Sequence, residues 1–135
     1  MVSVTGYSGK LLADKLGLKA GMTAAAIAPP ATYASLLGSV PVPGPLGRGS
    51  YEFIHLFVPG QTALDRLLPR ALARLAPHGA LWVSWPKKTS PLFKDLTEDG
   101  IRASALALGI VDVKVCAVDA DWSALKLMRR TGKTR

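Results

Sequence analysis

The chain predicts a three-layer, doubly wound α/β fold with a mostly parallel sheet and an antiparallel strand at its C-terminus. Three observations carry this. Residues 53–58 and 80–85 are almost continuously apolar, rich in β-formers and too short for helices, which is the pattern of strands covered on both faces. Between them Leu64, Leu67, Leu68, Ala71, Leu72 and Leu75 recur at three- and four-residue steps, so a helix feeds a buried strand, the connection that parallel strands require. The last two strand patterns, 111–118 and 122–128, are separated only by Asp119-Ala120-Asp121, a tight turn rather than a crossover.

Taken in order, Thr5-Gly6-Tyr7-Ser8-Gly9-Lys10 superficially suggests a phosphate loop. Such a loop needs a glycine five residues before the Gly-Lys pair and a Ser or Thr after it, and those places hold Val4 and Leu11. The stretch is instead a turn, with Ser8 as N-cap of a short helix that carries Leu11, Leu12 and Leu16 inward and stops at Gly17. Residues 23–28 form the first strand, ended by Pro29 and Pro30, and 32–37 suit one and a half helical turns. Residues 38–50, with three prolines and four glycines, read as a loop holding one short extended piece near 40–42. His55, inside the second strand, is a satisfied interior histidine, because no second ligand lies at metal-binding spacing.

The amphipathic helix starts from Thr62 as N-cap and carries Arg66, Arg70 and Arg74 on its far face. Pro69 predicts a kink or a loose first turn, and Pro77 with Gly79 ends the helix before the central strand. After a loop over 87–93, Asp95-Leu96-Thr97-Glu98 has the form of a capping box, opening a helix with Leu96, Ile101, Ala105 and Leu108 on one side and Gly109 at its end. Asp119 and Asp121 read as turn formers rather than metal ligands.

The chain of 135 residues reads as one domain over 1–128 followed by a basic tail over 129–135. Net charge is +8, and Arg129, Arg130, Lys133 and Arg135 concentrate half of that excess at the end. A single cysteine, Cys116, excludes an internal disulfide and reads as a buried, inert thiol suited to a reducing compartment. No apolar run is long enough to span a membrane, and residues 1–10 lack a signal-peptide core, so the expectation is a soluble cytoplasmic protein with no membrane partner.

Leu75-Ala76-Pro77-His78-Gly79-Ala80-Leu81-Trp82-Val83 resembles the helix-to-strand joint of class I methyltransferases, and Leu18-Lys19-Ala20-Gly21 resembles the approach to their first strand. The resemblance implies a truncated, Rossmann-like methyltransferase domain. Thr5-Gly6-Tyr7-Ser8-Gly9, the run from Leu81 to Lys88, Asp95-Leu96-Thr97-Glu98-Asp99 and the run from Gly109 to Asp119 resemble a bacterial domain-of-unknown-function family, which implies the same fold, carries no known activity and leaves function open. In the methyltransferase superfamily the first strand leads to an acid-flanked, glycine-rich turn. Here that stretch, Ala25-Ala26-Ile27-Ala28-Pro29-Pro30-Ala31, has no glycine and no acid, and its prolines remove two N–H donors. Nothing acidic lies between Asp14 and Glu52, so the carboxylate expected on ribose is missing too.

These departures predict no cofactor, with S-adenosylmethionine disfavoured, and a non-catalytic binding or interaction module. The alternatives are an S-adenosylmethionine-dependent methyltransferase with an altered cofactor site, and nucleic-acid binding through the basic tail together with the Arg66, Arg70 and Arg74 stripe. In open α/β sheets ligands sit beyond the carboxyl ends of the strands, which nominates Tyr7, Ser8, Pro30, Trp85, Lys87 and Lys88 as ligand-binding residues. The paired lysines suit an anionic small molecule, and a protein partner is the other expectation. Trp82 and Trp85 point to opposite faces of the sheet; both read as core, with the floor of a pocket as the alternative for Trp85, last in its strand.

Overall fold

A computed structural model describes residues 11–130. Its elements run α1 (Leu12–Leu16), β1 (Ala24–Ile27), α2 (Tyr33–Leu37), β2 (Tyr51–Phe57), α3 (Gln61–Ala73), β3 (Leu75–Pro86), α4 (Glu98–Ala107), β4 (Ile110–Ala117) and β5 (Trp122–Arg129). The sheet order is β1-β2-β3-β5-β4, with β1, β2 and β3 parallel and β5 antiparallel to both of its neighbours. The predicted fold class is the observed one.

Strand alternation sorts the core into two layers. Ile54, Leu56, Leu81, Val83, Trp85, Leu125 and Leu127 face α3 and α4, while Phe53, Phe57, Trp82 and Ala124 face α1 and α2. Trp82 is fully buried and donates its indole N–H to the Leu16 carbonyl at 2.9 Å, so it ties α1 to the sheet. The two tryptophans lie on opposite faces, as period-two geometry requires.

Several local expectations are corrected. Leu11 precedes the first helical turn and stays 61% exposed, whereas Leu12 and Leu16 are buried and Gly17 closes α1 in the left-handed conformation at φ 74°. The extended piece expected near 40–42 is reduced to one parallel bridge at Gly44, where Ala26 N–H donates to the Gly44 carbonyl at 2.8 Å. Pro41, Pro43 and Pro45 lack the donors that a ladder needs. α3 has Gly60 rather than Thr62 at its cap and runs unbroken through the exposed Pro69.

The chain turns from helix to strand at Arg74, earlier than Pro77 and Gly79 suggest, because Tyr51 N–H takes the Arg74 carbonyl at 2.8 Å and starts pairing there. Register then jumps from Tyr51 opposite Leu75 to Phe53 opposite Ala80, so residues 76–79 bulge out of β3. Gly79 is the close approach in that bulge. A Cβ there would lie 2.9 Å from the Tyr51 carbonyl oxygen and 3.1 Å from that of Glu52. At the far edge, Cys116 on β4 is half-buried rather than enclosed, and burial pushes its thiol above the ordinary range. Arg129, assigned to the tail by sequence, belongs to β5.

The path of the chain defines where the sheet divides. From β1 it passes through α2 to Gly44 on the outer edge of β1, then returns to β2 on the inner edge and goes on through α3, on the opposite face, to β3. The reversal lies between β1 and β2, and crevices open beyond the carboxyl ends of strands at such a point.

Candidate functional site

The rim begins at Ala28, directly after β1. Its φ of 55° makes it the only non-glycine residue among those described to adopt the left-handed conformation. Pro29 and Pro30 follow, and the Pro30 carbonyl accepts from Tyr33 N–H at 3.0 Å, closing the turn into α2. Beneath it runs a buried polar chain: Tyr33 Oη lies 2.8 Å from His55 Nδ1, and His55 Nε2 lies 2.7 Å from Ser84 Oγ. One hydrogen-bonded line therefore joins α2, β2 and β3, and the expected satisfied interior histidine is observed. Burial pushes His55 down to about 3 and raises Tyr33 above its ordinary range, so both stay neutral. The imidazole also stacks on Phe57, with ring centroids 4.1 Å apart.

At the end of β2, Val58 N–H donates to the Ser84 carbonyl at 3.0 Å, and Gln61 N–H donates to Asp95 Oδ1 at 3.0 Å. Asp95 thus serves the N-terminus of α3, a helix far from it in sequence, instead of opening its own. The cap of α4 is Thr97, whose hydroxyl accepts from Gly100 N–H at 3.1 Å. The capping-box spacing had suggested Asp95 for that place.

At the end of β3, Lys87 N–H donates to the Asp121 carbonyl at 2.8 Å, and Ser90 Oγ donates to Asp121 Oδ1 at 2.9 Å. Asp119 Oδ1 accepts from the N–H groups of Asp121 and Trp122, each at 2.9 Å, so both carboxylates hold turns as predicted. No group of side chains suited to a metal occurs among the described residues.

Between this loop and the first turn of α4 opens a cleft of about 420 Å³, lined by Trp85, Lys87, Lys88, Thr97, Glu98 and Arg102, with Ser123 from β5 beside them. Trp85 is 6% exposed and shows little more than a ring edge to it. Arg102 bonds to Asp112 at 3.0 Å and Asp99 at 3.1 Å, and it also pairs with Glu98. The hydrogen bond from Arg102 holds the Asp112 carboxyl below its ordinary range, and those from Asp112 and Glu98 raise the guanidinium. Those acids are committed to Arg102, and neither Lys87 nor Lys88 has an ion-pair partner among the described residues.

Of the residues nominated by sequence, Trp85, Lys87 and Lys88 share one cleft. Pro30 lies on the same rim but at β1, two strand positions from β3, and does not line the cleft. Tyr7 and Ser8 lie outside the described residues. Arg102 was missed, although its i, i+4 spacing from Glu98 marks an ion pair on one helical face.

No protein-family model matches the chain, and no curated protein is significantly similar to it in sequence. Solved structures are similar in fold. Magnesium protoporphyrin IX methyltransferase from Synechocystis PCC 6803, crystallised with S-adenosylmethionine, superposes with a TM-score of 0.51 at 14% identity over 71% of this chain and 50% of its own. The ribosomal protein L11 methylase from Lactobacillus delbrueckii subsp. bulgaricus gives 0.53 at 16% identity, over 90% of this chain and 64% of its own. LepI in complex with S-adenosylmethionine gives 0.52 at 11% identity, over 88% and 39%. The chain has a methyltransferase-like Rossmann fold. It spans from 39% to 64% of the length of these three structures.

The comparison corrects the expectation of no cofactor. That expectation extended a missing motif to the whole fold, and proteins of this fold are crystallised with S-adenosylmethionine bound. The local departures stand beside that correction as features of the rim. The β1 turn has no glycine, and Pro29 and Pro30 offer no N–H. Glu52 spends its carboxylate on Thr23 N–H, at 2.9 Å, at the opposite end of the strands. The usual grip on the amino-acid end and ribose therefore does not fit these residues, and no methyl-transfer step is assigned to any of them.

Proposed function

We propose that this chain is a methyltransferase-type domain that binds S-adenosylmethionine or its demethylated product through an altered site on the rim of β1, β2 and β3. The observation that carries the proposal is Ala28. A left-handed backbone at a residue with a Cβ is unfavourable, and here it sits where β1 meets the point at which the chain reverses across the sheet. Such strain persists where the surroundings over-determine it, and the turn that follows is anchored through Tyr33, which bonds to the Pro30 carbonyl and to buried His55. The fold likeness supports the same reading, as do two lysines available to a ligand carboxylate.

Calorimetry on the purified chain tests this. Binding of S-adenosylmethionine or S-adenosylhomocysteine with Kd below ~100 μM is expected. No heat with either ligand at millimolar concentration overturns the proposal. A Lys87→Ala/Lys88→Ala variant is expected to weaken binding about tenfold, the loss of one charge-assisted contact.

A further inference from the structure

A second feature leads to the end of the sheet opposite the rim. Six arginines form it: Arg48 ahead of β2, Arg66 and Arg70 along α3 with Arg74 at its C-terminal end, and Arg129 and Arg130 at the end of β5. Hydrogen bonds bring Arg48, Arg74 and Arg129 together. Arg74 Nη1 donates to the Arg48 carbonyl, and Arg129 Nη2 donates to the carbonyls of Leu72 at 2.9 Å and Leu75 at 2.8 Å. The acids on the same elements are otherwise engaged, Glu52 of β2 by Thr23 N–H and Asp65 of α3 by the Gln61 amide. Among the described residues, none of the six has a carboxylate partner.

Helix capping explains only part of this cluster. Arg74 and Arg129 each spend one terminal nitrogen on a backbone carbonyl, which fixes their position and leaves their other donors outward. Arg48, Arg66, Arg70 and Arg130 are exposed and add nothing to the fold that the structure shows. Like charges one helical turn apart, as at Arg66, Arg70 and Arg74, destabilise an isolated helix, so the arrangement carries a cost without an internal return. Their spacing along α3 is about 6 Å per step, comparable with the step between phosphates on an extended strand.

We propose that this face is a binding surface for a nucleic-acid strand, engaged through its phosphates and without base readout. Arginine forks pair bidentately with phosphate oxygens, and Tyr51, whose N–H donates to the Arg74 carbonyl, is half-buried with its hydroxyl accepting from Gly47 N–H, so it offers no open platform for a row of stacked bases. The surface includes the root of the basic tail, but most of it lies on α3 and before β2. It is independent of the rim and of any ligand bound there.

Fluorescence anisotropy of the full chain with a short random-sequence single-stranded RNA tests the proposal. If all six arginines engage phosphates, log K falls against log salt with a slope of about −4, and Arg48→Gln/Arg66→Gln/Arg70→Gln reduces it to about −2 with at least a tenfold loss of affinity at low salt. Far-UV circular dichroism confirms that the variant is folded. Lys87→Gln/Lys88→Gln, at the other end of the sheet, is expected to bind RNA like the parent. Equal losses in both variants, unchanged binding in the arginine variant, no RNA binding, or binding only to phosphatidylserine vesicles would each overturn it.

Discussion

Ala28 shows what a single residue can disclose. Its left-handed conformation costs about 1–2 kcal/mol, which glycine would avoid at the expense of about 0.4–1 kcal/mol of chain entropy. Ala28→Gly is therefore expected to raise unfolding free energy by about 0.5–1 kcal/mol in urea denaturation. A loss of stability would mean that the alanine methyl packs usefully. Nothing in the local sequence Ile27-Ala28-Pro29 announces this, because no residue type there favours a positive φ.

His55 makes a pH prediction with a definite sign. Its folded pKa is about 3, below the ordinary value near 6.5, so between those limits the unfolded chain takes up a proton that the folded chain refuses. Stability must then fall as pH falls from about 6.5 toward 3, by up to about 1.4 kcal/mol per pH unit. Urea midpoints across pH 7.5 to about 5 should drop more steeply for the parent than for His55→Gln, and Tyr33→Phe, which keeps the buried imidazole, should retain the steep dependence. Equal slopes in the parent and His55→Gln would show that His55 is protonated in the folded state. The enclosure of His55 was legible from the apolar run around it. Its partners were not, being 22 and 29 residues away.

Among elements, the periodic ones were the most legible. α3, β2 and the paired part of β3 were evident because apolar spacing follows directly from 3.6- and two-residue geometry. Their ends were less so, since caps can come from anywhere in space. Asp95 illustrates this by holding α3 through Gln61 N–H while Thr97 caps α4. Asp95→Ala is expected to lose about 1 kcal/mol of stability and Asp95→Asn rather less, measured by thermal or urea unfolding. A silent Asp95→Ala would leave α3 capped by water. Arg102 belongs at the same scale: an ion-pair centre on α4 that joins Asp112 of β4 and forms one wall of the cleft.

For the whole molecule, the sheet separates two chemistries. The carboxyl ends of β1, β2 and β3 bear the strained turn and the lysine cleft, while Arg48, Arg74 and Arg129 meet at the amino ends, with Arg66 and Arg70 leading there along α3. That Trp85, Lys87 and Lys88 fall together was legible because they form one contiguous stretch at a strand's carboxyl end, and the structure shows them lining one cleft. The arginine face was legible in part: helical spacing put Arg66, Arg70 and Arg74 in one stripe and composition marked the basic tail, but the inclusion of Arg48 and the contacts that join stripe and tail run through turns whose geometry no local pattern specifies. For the same reason Arg129 read as tail when it is the last residue of β5.

The amino-acid order by itself determined the layered α/β architecture, the identity of the core faces and the absence of the usual glycine-acid turn, because hydrophobic periodicity and proline chemistry operate within a few residues. Tertiary structure alone decided the strand order that makes the chain methyltransferase-like, the left-handed bend at Ala28, the Tyr33–His55–Ser84 line and the clustering of arginines. Each of those depends on contacts between residues far apart in the chain, and only closure of the sheet brings such residues together.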